Sequence, residues 1–163
     1  MRLAFREMRS ADLDDMAALL GDPQVMRHYP RPKRRNEALA WISWNQRLYH
    51  EHGFGLWLLT LRETGEFVGD CGLTPQHIDG VTYTEIGYHI RPARQGRGIA
   101  TEAAIACRDY ARDVLRRTRL IAIIHPSNVP SQRVAENLGM RFEWETDSHG
   151  RWSTPQRIFA MTL

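Results

Sequence analysis

The chain has 163 residues, a length typical of one domain that buries about two-thirds of its unfolded surface. With 42% apolar and 25% charged residues, the composition excludes collagen-like, coiled-coil and disordered proteins. The net charge of +3, from 22 basic and 19 acidic residues, is weak support for binding a polyanion. We therefore expect one folded domain over residues 1–163.

Membrane insertion is not expected, because the longest apolar run, Phe54–Leu61, falls far short of the ~20 residues of a membrane-spanning helix. Residues 1–6 lack the apolar region of a signal peptide. Cys71 and Cys107 are too few for a disulfide framework or a cysteine zinc site. The sequence predicts a cytoplasmic protein with reduced thiols, no metal and no membrane partner.

Two helices are predicted in the first third of the chain. Ser10 is typical of a helix N-cap, and apolar residues then recur at helical spacing until Gly21. After a loop with three prolines, Asn36 is expected to cap a second helix, which ends at Gly53.

A strand-rich region follows. The runs Phe54–Leu61, Phe67–Leu73 and Val81–Ile90 are rich in aromatic and β-branched residues, and turn sequences separate them. The second of these turns is placed at His77–Gly80. This pattern indicates an antiparallel meander.

Helical and strand patterns alternate in the rest of the chain. A helical face runs from Ile99 to Val114, and Leu120–Ile124 has the composition of a buried strand. A short helix ending at Gly139 and strands at about Arg141–Thr146 and Arg157–Leu163 complete the pattern. This order of elements predicts an α+β or mixed α/β fold.

The segment from Ile86 to Thr101 carries the strongest functional signal. A strand enters a loop with Gly96 and Gly98, and the loop opens directly into a helix. Free N–H groups and the positive end of the dipole at a helix N-terminus suit an anion such as a pyrophosphate. A tight turn without a ligand is the alternative reading of the two glycines.

Two common phosphate-binding motifs do not fit this loop. A Walker loop needs a lysine after its second glycine, and Lys33 is the only lysine in the chain. A Rossmann fingerprint needs glycine where Thr101 stands and an acid about twenty residues later, where residues 115–120 contain none. Nucleotide triphosphate hydrolysis and dinucleotide binding are therefore disfavoured.

Gln95-x-x-Gly98-x-Ala100 resembles the Gln/Arg-x-x-Gly-x-Gly/Ala signature with which the GNAT N-acetyltransferase superfamily holds the pyrophosphate of acetyl-CoA. Residues Asn128–Met140 resemble the second motif of that superfamily, in the right order and at the right distance. Residues 5–9, 12–15, 22–26, 53–55 and 69–73 are similar to the ribosomal-protein N-terminal acetyltransferase-like branch. The resemblance covers nearly the whole chain.

The resemblance implies a twisted mixed sheet of about seven strands with about four helices, in which two central strands splay apart. Pantetheine would lie between the strand that ends at Ile90 and the strand that ends at His125. The implied cofactor contacts are backbone groups near His89 and Ile90, the N–H groups of Gln95, Gly96, Arg97, Gly98, Ile99 and Ala100, and the side chain of Asn128. A loop or cap role is the alternative for Asn128.

Attack of a primary amine on a thioester needs a proton acceptor beside the amine. By two-residue alternation, Glu85 shares a strand face with Tyr83, Gly87 and His89. Its carboxylate is a candidate to accept the amine proton, directly or through water. A solvent-facing strand residue is the alternative reading, although this strand often supplies the base in the superfamily.

Many members of the superfamily carry a tyrosine acid four positions before the glycine of the second motif. That position is Ala135 here, which puts a tyrosine acid in doubt and leaves Ser131 as the candidate donor to the thioester or thiolate. A serine at this place is also a normal helix N-cap. His125 is expected to be a structural histidine, and the loop from Pro23 to Pro32 a wall of the acceptor pocket.

The resemblance implies an N-acetyltransferase that moves an acetyl group from acetyl-CoA to a primary amine, without a metal. The acceptor would be a protein N-terminus or a small molecule, and it would attack directly in a ternary complex. The alternative is a non-catalytic acyl-CoA-binding or nucleic-acid-binding module with the same fold, which only the missing tyrosine and the arginine clusters favour. A nucleic-acid partner is thus disfavoured, while the acceptor's identity and a homodimer are left open.

Overall fold

A computed structural model of the protein describes residues 1–147 and 154–163. The helices are α1 (Leu13–Leu20), α2 (Arg35–His52), α3 (Ile99–Asp113) and α4 (Val129–Asn137). The strands are β1 (Leu3–Arg6), β2 (Leu56–Leu61), β3 (Phe67–Ile78), β4 (Val81–Ile90), β5 (Arg119–Ile124), β6 (Arg141–Thr146) and β7 (Gln156–Thr162). Short 3₁₀ turns, Ser10–Asp12 and Pro92–Arg94, precede α1 and α3.

The strands form a seven-stranded sheet in the order β1-β2-β3-β4-β5-β7-β6. The pair β4 and β5 is parallel, and the other neighbouring pairs are antiparallel. Mixed strand directions and the four helices of the described ranges confirm the predicted fold class.

Helices cover both faces of the sheet. On one face, α1 and α2 pack Met16, Ala38 and Ile42 against Leu56 and Leu58 of β2. On the other face, α3 and α4 contribute to a larger cluster that contains Ala103, Cys107, Leu138, Ile86, Ile90 and Leu120. Full burial of a large apolar side chain contributes about 1.5–3 kcal/mol, so this packing holds both layers on the sheet. In the described part of the chain, the helices are too short or too polar to span a bilayer.

The sheet opens between its two parallel strands. The ladder between β4 and β5 has one paired position, Glu85 opposite Ile121, although β4 continues to Ile90 and β5 to Ile124. Beyond Glu85 the two strands therefore diverge. This confirms the predicted splay between two central strands.

The predicted caps of the first two helices are wrong. Ser10 lies inside the 3₁₀ turn, where the N–H of Arg9 donates to the carboxylate of Asp12 at 2.7 Å. Helix α2 begins at Arg35, one residue before Asn36, and the N–H of Arg34 donates to Glu37 at 2.7 Å. In both places a carboxylate three residues into the turn reaches back to the free N–H, so a capping residue with a short polar side chain is not needed.

The predicted turn at His77–Gly80 is also shorter than expected. Strand β3 continues to Ile78, which pairs with Val81 of β4. Asp79 and Gly80 make the reversal alone, with positive φ angles of 48° and 82°. Asp-Gly is a favoured pair for such a two-residue hairpin, because both positions tolerate left-handed backbone.

Candidate functional site

A cavity of about 990 Å³ lies where β4 and β5 separate. Its wall is built from the inner edges of these strands, the first turns of α3 and α4, and the loop over residues 24–33 between α1 and α2. Every predicted site residue lines this cavity except Arg97, namely Glu85, His89, Ile90, Gln95, Gly96, Gly98, Ile99, Ala100, Asn128 and Ser131. The fold thus brings the two sequence motifs to one place.

The predicted phosphate loop has backbone that glycine adopts most readily. Gly96 and Gly98 have φ angles of 71° and 74°, in the left-handed region. A Cβ at Gly96 would meet no atom within 4 Å, so glycine serves the backbone conformation rather than close packing. Gly98 is the N-cap of α3, and the N–H groups of the first helical turn lack intrahelical partners.

Side chains hold this loop in place. The amide of Gln95 donates to the carbonyl of Ile90 at 2.9 Å, which ties the loop to the end of β4. Arg2 donates to the carbonyl of Arg97 at 3.1 Å and pairs with Glu102 of α3 at 2.7 Å. The nearby negative charge of Glu102 is thereby offset, which favours an anion at the helix N-terminus.

Two arginines of the loop have different roles. Arg94 forms a hydrogen-bonded ion pair with Glu66, and the hydrogen bond from Arg94 lowers the pKa of the Glu66 carboxyl. Arg97 is exposed and has no ion pair with any residue in the described ranges. Its guanidinium is therefore available to a phosphate, whereas that of Arg94 is already committed.

The end of β4 offers fewer free backbone groups than expected. The N–H of His89 donates to the Asp70 carboxylate at 3.1 Å, and the carbonyl of Ile90 accepts from Gln95. Hydrogen bonds from the backbone of β4 to pantetheine therefore stay a prediction. They would have to use the N–H and C=O groups of β4 that face the opening between β4 and β5.

Glu85 is half-buried in the wall of the cavity. Its Oε2 accepts a hydrogen bond from the Gln76 amide at 2.7 Å and from the Thr74 hydroxyl at 3.1 Å. Both partners come from β3, where Thr74 is directly opposite Glu85. These contacts hold the carboxylate on the face that it shares with Gly87 and His89, so Glu85 is not a simple solvent-facing strand residue.

At the start of α4, the structure distinguishes the capping residue from the candidate hydroxyl donor. Asn128 is the N-cap, and its Oδ1 accepts the N–H of Ser131 at 3.3 Å. The alternative reading of Ser131 as the cap is therefore wrong, because the chain enters the helix three residues earlier. Ala135, at the position where many superfamily members carry a tyrosine acid, is 1% exposed and packs in the core.

Tyr88 reaches the same helix from the opposite face of β4. Its hydroxyl donates to the carbonyl of Ser131 at 3.0 Å, and its ring packs against the core cluster around α3. Burial raises the pKa of the Tyr88 phenol well above its ordinary value. The contact fixes the start of α4 against the strand.

Sequence patterns assigned no role to Asp70 or Tyr29. Asp70 is fully buried in β3, and its Oδ1 accepts from Nδ1 of His89 at 2.8 Å. The hydroxyl of Tyr29 lies 2.8 Å from Nε2 of the same imidazole. A charged residue inside the apolar run Phe67–Leu73 was the available signal, since buried carboxylates are rare unless they are paired.

Aromatic and basic side chains form the wall beneath α2. The rings of Trp41 and Trp44 lie 5.1 Å apart, and the ammonium of Lys33 lies 5.1 Å from the Trp41 ring. Among the described residues that line the cavity, Glu85 is the only acid, whereas Arg27, Lys33, Arg94 and Arg133 are basic. Residues of the loop from Pro23 to Pro32 line the cavity, as expected. That this loop contacts the acceptor stays a prediction.

His125 lies at the mouth of the splay. Its Nδ1 contacts the Ser127 hydroxyl at 2.9 Å, and its ring lies 5.5 Å from that of His28. Burial, together with the charges of Arg27 and His125, lowers the pKa of His28. The contacts of His125 are those of a hydrogen-bonded structural histidine.

The two cysteines lie in the core. Their sulfur atoms are 3.6 Å apart, and both residues are buried. Burial raises the pKa of the Cys71 thiol, which keeps it protonated and unreactive. No group of three or more histidine, cysteine or acidic residues in the described ranges could hold a metal ion.

The acetyltransferase (GNAT) domain model matches residues 2–141 of the chain. The Bacillus subtilis protein YkkB is 36% identical over 159 residues, which cover 97% of this chain and 91% of YkkB. An acetyltransferase from Agrobacterium tumefaciens superimposes with a TM-score of 0.82 at 25% identity, over 98% of this chain and 90% of that one.

Two further solved structures share the fold. The ribosomal-protein-S5-alanine acetyltransferase from Vibrio fischeri has a TM-score of 0.73 at 19% identity, over 99% of this chain and 93% of its own. Mycobacterium smegmatis RimJ, solved with CoA-disulfide, has a TM-score of 0.75 at 23% identity, over 98% of this chain and 81% of its own. The family match spans most of the chain and agrees with the two sequence motifs. The chain belongs to the GNAT acetyltransferase family.

Proposed function

We propose that this protein, as one domain over residues 1–163, transfers an acetyl group from acetyl-CoA to a primary amine by direct attack in a ternary complex. The observation that carries the proposal is one cavity that joins the N-terminus of α3, the opening between β4 and β5, and the half-buried carboxylate of Glu85. A pyrophosphate, a thioester arm and an amine each find a suitable group there.

The cofactor is proposed to enter with its pyrophosphate at the loop Gln95–Ala100. First-turn N–H groups and the guanidinium of Arg97 offer hydrogen bonds and positive charge to the phosphates. The arm would then follow the opening beside His89 and Ile90, toward Asn128. The capping bond of Asn128 uses its Oδ1, which leaves the amide N–H₂ as a donor to the arm.

Acetyl transfer to an amine that arrives as an ammonium group removes two protons from nitrogen and returns one to the CoA sulfur. Glu85 is proposed as the acceptor of the proton that leaves nitrogen during attack, directly or through water. The hydroxyl of Ser131 is proposed to donate to the thioester or the departing thiolate. Because Asn128 caps α4, the Ser131 hydroxyl is not needed as a cap.

The charges of the cavity indicate the class of acceptor. A polyamine or an aminoglycoside carries several ammonium groups, whereas the described residues that line the cavity include one carboxylate, that of Glu85. One carboxylate can balance one ammonium group, and further ammonium groups gain no such attraction. We therefore propose an acceptor with a single amine on an apolar, aromatic or acidic body, which the Trp41 and Trp44 rings can contact.

Release of CoA with a panel of amines tests the proposal. The panel contains amino acids, short peptides with free N-termini, simple aromatic amines and spermidine, and the intact mass of each acceptor reports acetylation. We expect acetyl-CoA binding, CoA release with a monoamine, and a weaker response to spermidine. Binding of acetyl-CoA without CoA release would indicate a non-catalytic module, and absence of binding would overturn the proposal.

A further inference from the structure

Three side chains form a hydrogen-bonded chain from the core to the cavity, four residues beyond Glu85 on the same face of β4. Asp70 accepts from Nδ1 of His89 at 2.8 Å, and Nε2 of His89 lies 2.8 Å from the Tyr29 hydroxyl. Asp70 is 0% exposed and His89 is 7% exposed, whereas Tyr29 is half-buried and lines the cavity. The chain of bonds therefore ends where a ligand can touch it.

The direction of each bond follows from the groups involved. Oδ1 of Asp70 already accepts the backbone N–H of His89, so it serves as an acceptor, and Nδ1 carries the proton. A neutral imidazole then has its lone pair on Nε2, and the Tyr29 hydroxyl donates to it. A hydroxyl that donates in this way can pass its own proton on while it takes one from a neighbouring group.

Asp70 has no other partner in the described ranges to balance its charge. Its Oδ2 is buried and makes no hydrogen bond there. A carboxylate that holds Nδ1–H of a histidine stabilises the imidazolium that forms when Nε2 takes a proton. Placing such a carboxylate out of water is costly, and the contact to His89 offsets that cost.

We propose that Tyr29, His89 and Asp70 are the route by which the entering acceptor ammonium loses its first proton. This inference rests on the proposed acetyl transfer. Tyr29 is the catalytic residue that touches the acceptor, His89 receives the proton through it, and Asp70 is a positioning residue for His89.

The proton transfer balances without any further reactant. An N–H bond of the ammonium breaks and its proton forms a new O–H bond with Tyr29, while the original Tyr29 proton passes to Nε2 of His89. The products are a neutral amine, an intact tyrosine and an imidazolium paired with Asp70. After product release, the imidazolium gives its proton back through Tyr29 to water.

This role differs from that of Glu85. On an extended strand, four residues span about 13 Å, so Glu85 and His89 serve different parts of the cavity. The rings of Trp41 and His89 meet edge to face with centres 5.9 Å apart, and Lys33 lies over the same indole. The imidazole is therefore kept away from bulk water, and Tyr29 is its hydrogen-bonded link to the cavity.

Acceptors of different basicity distinguish the relay from a structural role. At about pH 6, where an aliphatic amine of the panel is almost wholly protonated, the best such acceptor is compared with a fluorinated analogue whose nitrogen is a much weaker base and is largely uncharged. The variants are Asp70→Asn, which keeps the shape of the carboxylate, and Tyr29→Phe, which removes one hydroxyl from a half-buried position. Tyr83→Phe, at a half-buried position outside the cavity, is the matched control for Tyr29→Phe, and Asp113→Asn makes the same exchange as Asp70→Asn at an exposed position.

We expect both variants to lower kcat/KM for the basic acceptor by about 10²-fold and for the uncharged analogue by no more than about threefold. Glu85→Gln should slow both acceptors alike, because the proton that Glu85 takes leaves nitrogen during attack, whether the amine enters charged or neutral. Equal losses with the two acceptors, or no loss with the basic one, would overturn the relay while acetyl transfer by the wild type stands. If the wild type acetylates no amine, the proposed function itself fails.

Discussion

The carboxamide oxygen of Asn128 accepts the N–H of Ser131 at 3.3 Å, so Asn128 caps α4, while Ser131 lines the cavity and has no capping role. The two residues can therefore be separated experimentally, one by its effect on stability and the other by its effect on rate.

Ser131→Ala should lower kcat about tenfold to 10²-fold, because one donor to the developing thiolate is lost. The dissociation constant of acetyl-CoA and the melting temperature should stay close to those of the wild type. Steady-state kinetics, calorimetric titration with acetyl-CoA and thermal unfolding measure the three quantities. Ser10→Ala, at an exposed site in the first 3₁₀ turn, is the control. An unchanged kcat would exclude Ser131 from the reaction.

Asn128→Ala should destabilise the protein by about 1 kcal/mol, the usual cost of losing an N-cap. The melting temperature should fall by roughly 2–4 °C for a chain of this size. Asn36→Ala is the matched control, because Asn36 is exposed within the first turn of α2 and does not cap it. Equal melting temperatures for the two variants would contradict the capping assignment.

Gly98→Asp should raise the dissociation constant of acetyl-CoA at least about tenfold, or about 1.4 kcal/mol. The variant places a negative charge at the helix N-terminus, where the pyrophosphate is proposed to bind. Gly65→Asp makes the same change at a matched φ of 71° in a distant turn with no atom near its Cβ. Calorimetric titration of both variants separates charge at the site from backbone strain. Wild-type affinity in folded Gly98→Asp would place the phosphates elsewhere.

Glu85→Gln should lower kcat about 10²–10⁴-fold near neutral pH, because the amide cannot take a proton from nitrogen. The side chain keeps its size and can still accept hydrogen bonds from Gln76 and Thr74, so acetyl-CoA affinity should barely change. The control is Glu63→Gln, at an exposed turn position. Wild-type turnover in Glu85→Gln with saturating substrates would remove Glu85 from the mechanism.

Asp12 should make the stability of the protein sensitive to acid. Its carboxylate accepts both guanidinium nitrogens of Arg6, at 2.8 and 2.6 Å, and the hydrogen bond from Arg6 lowers the pKa of Asp12. A carboxyl group whose pKa is lowered by folding stabilises the protein at pH values above its ordinary pKa of about 3.9. This stability is lost as the pH falls through the folded-state pKa.

Asp12→Asn should therefore lower the free energy of unfolding by about 1.5–3 kcal/mol at neutral pH, a range typical of hydrogen bonds to charged groups. The difference from the wild type should shrink below about pH 4. Urea unfolding across this pH range measures it. Asp14→Asn is the control, because the ion pair of Asp14 with Arg35 is exposed and contributes little. A difference that persists at low pH would show that charge is not the cause.

Local patterns predicted the elements well where one face is apolar over several turns. The helical spacing from Ile99 onward located α3, and alternation along Val81–Ile90 placed Glu85, Gly87 and His89 on one face. Caps and turns were less predictable. Ser10 and Asn36 failed because Asp12 and Glu37 supply carboxylates from inside the turn, and several nearby polar residues compete for the same free N–H groups.

The sequence by itself determined the turn with Gly96 and Gly98 that opens into α3, because such a turn needs only consecutive residues. It also determined the family, through two motifs in order. Only the tertiary structure decided where the sheet opens, since the ladder between β4 and β5 depends on pairing across many residues. The contact of Tyr29 with His89 joins residues 60 positions apart, and that of Asp70 with His89 joins residues 19 apart. No local period encodes such contacts, because they form when packing of α2 and β3 brings separate segments to one face of β4.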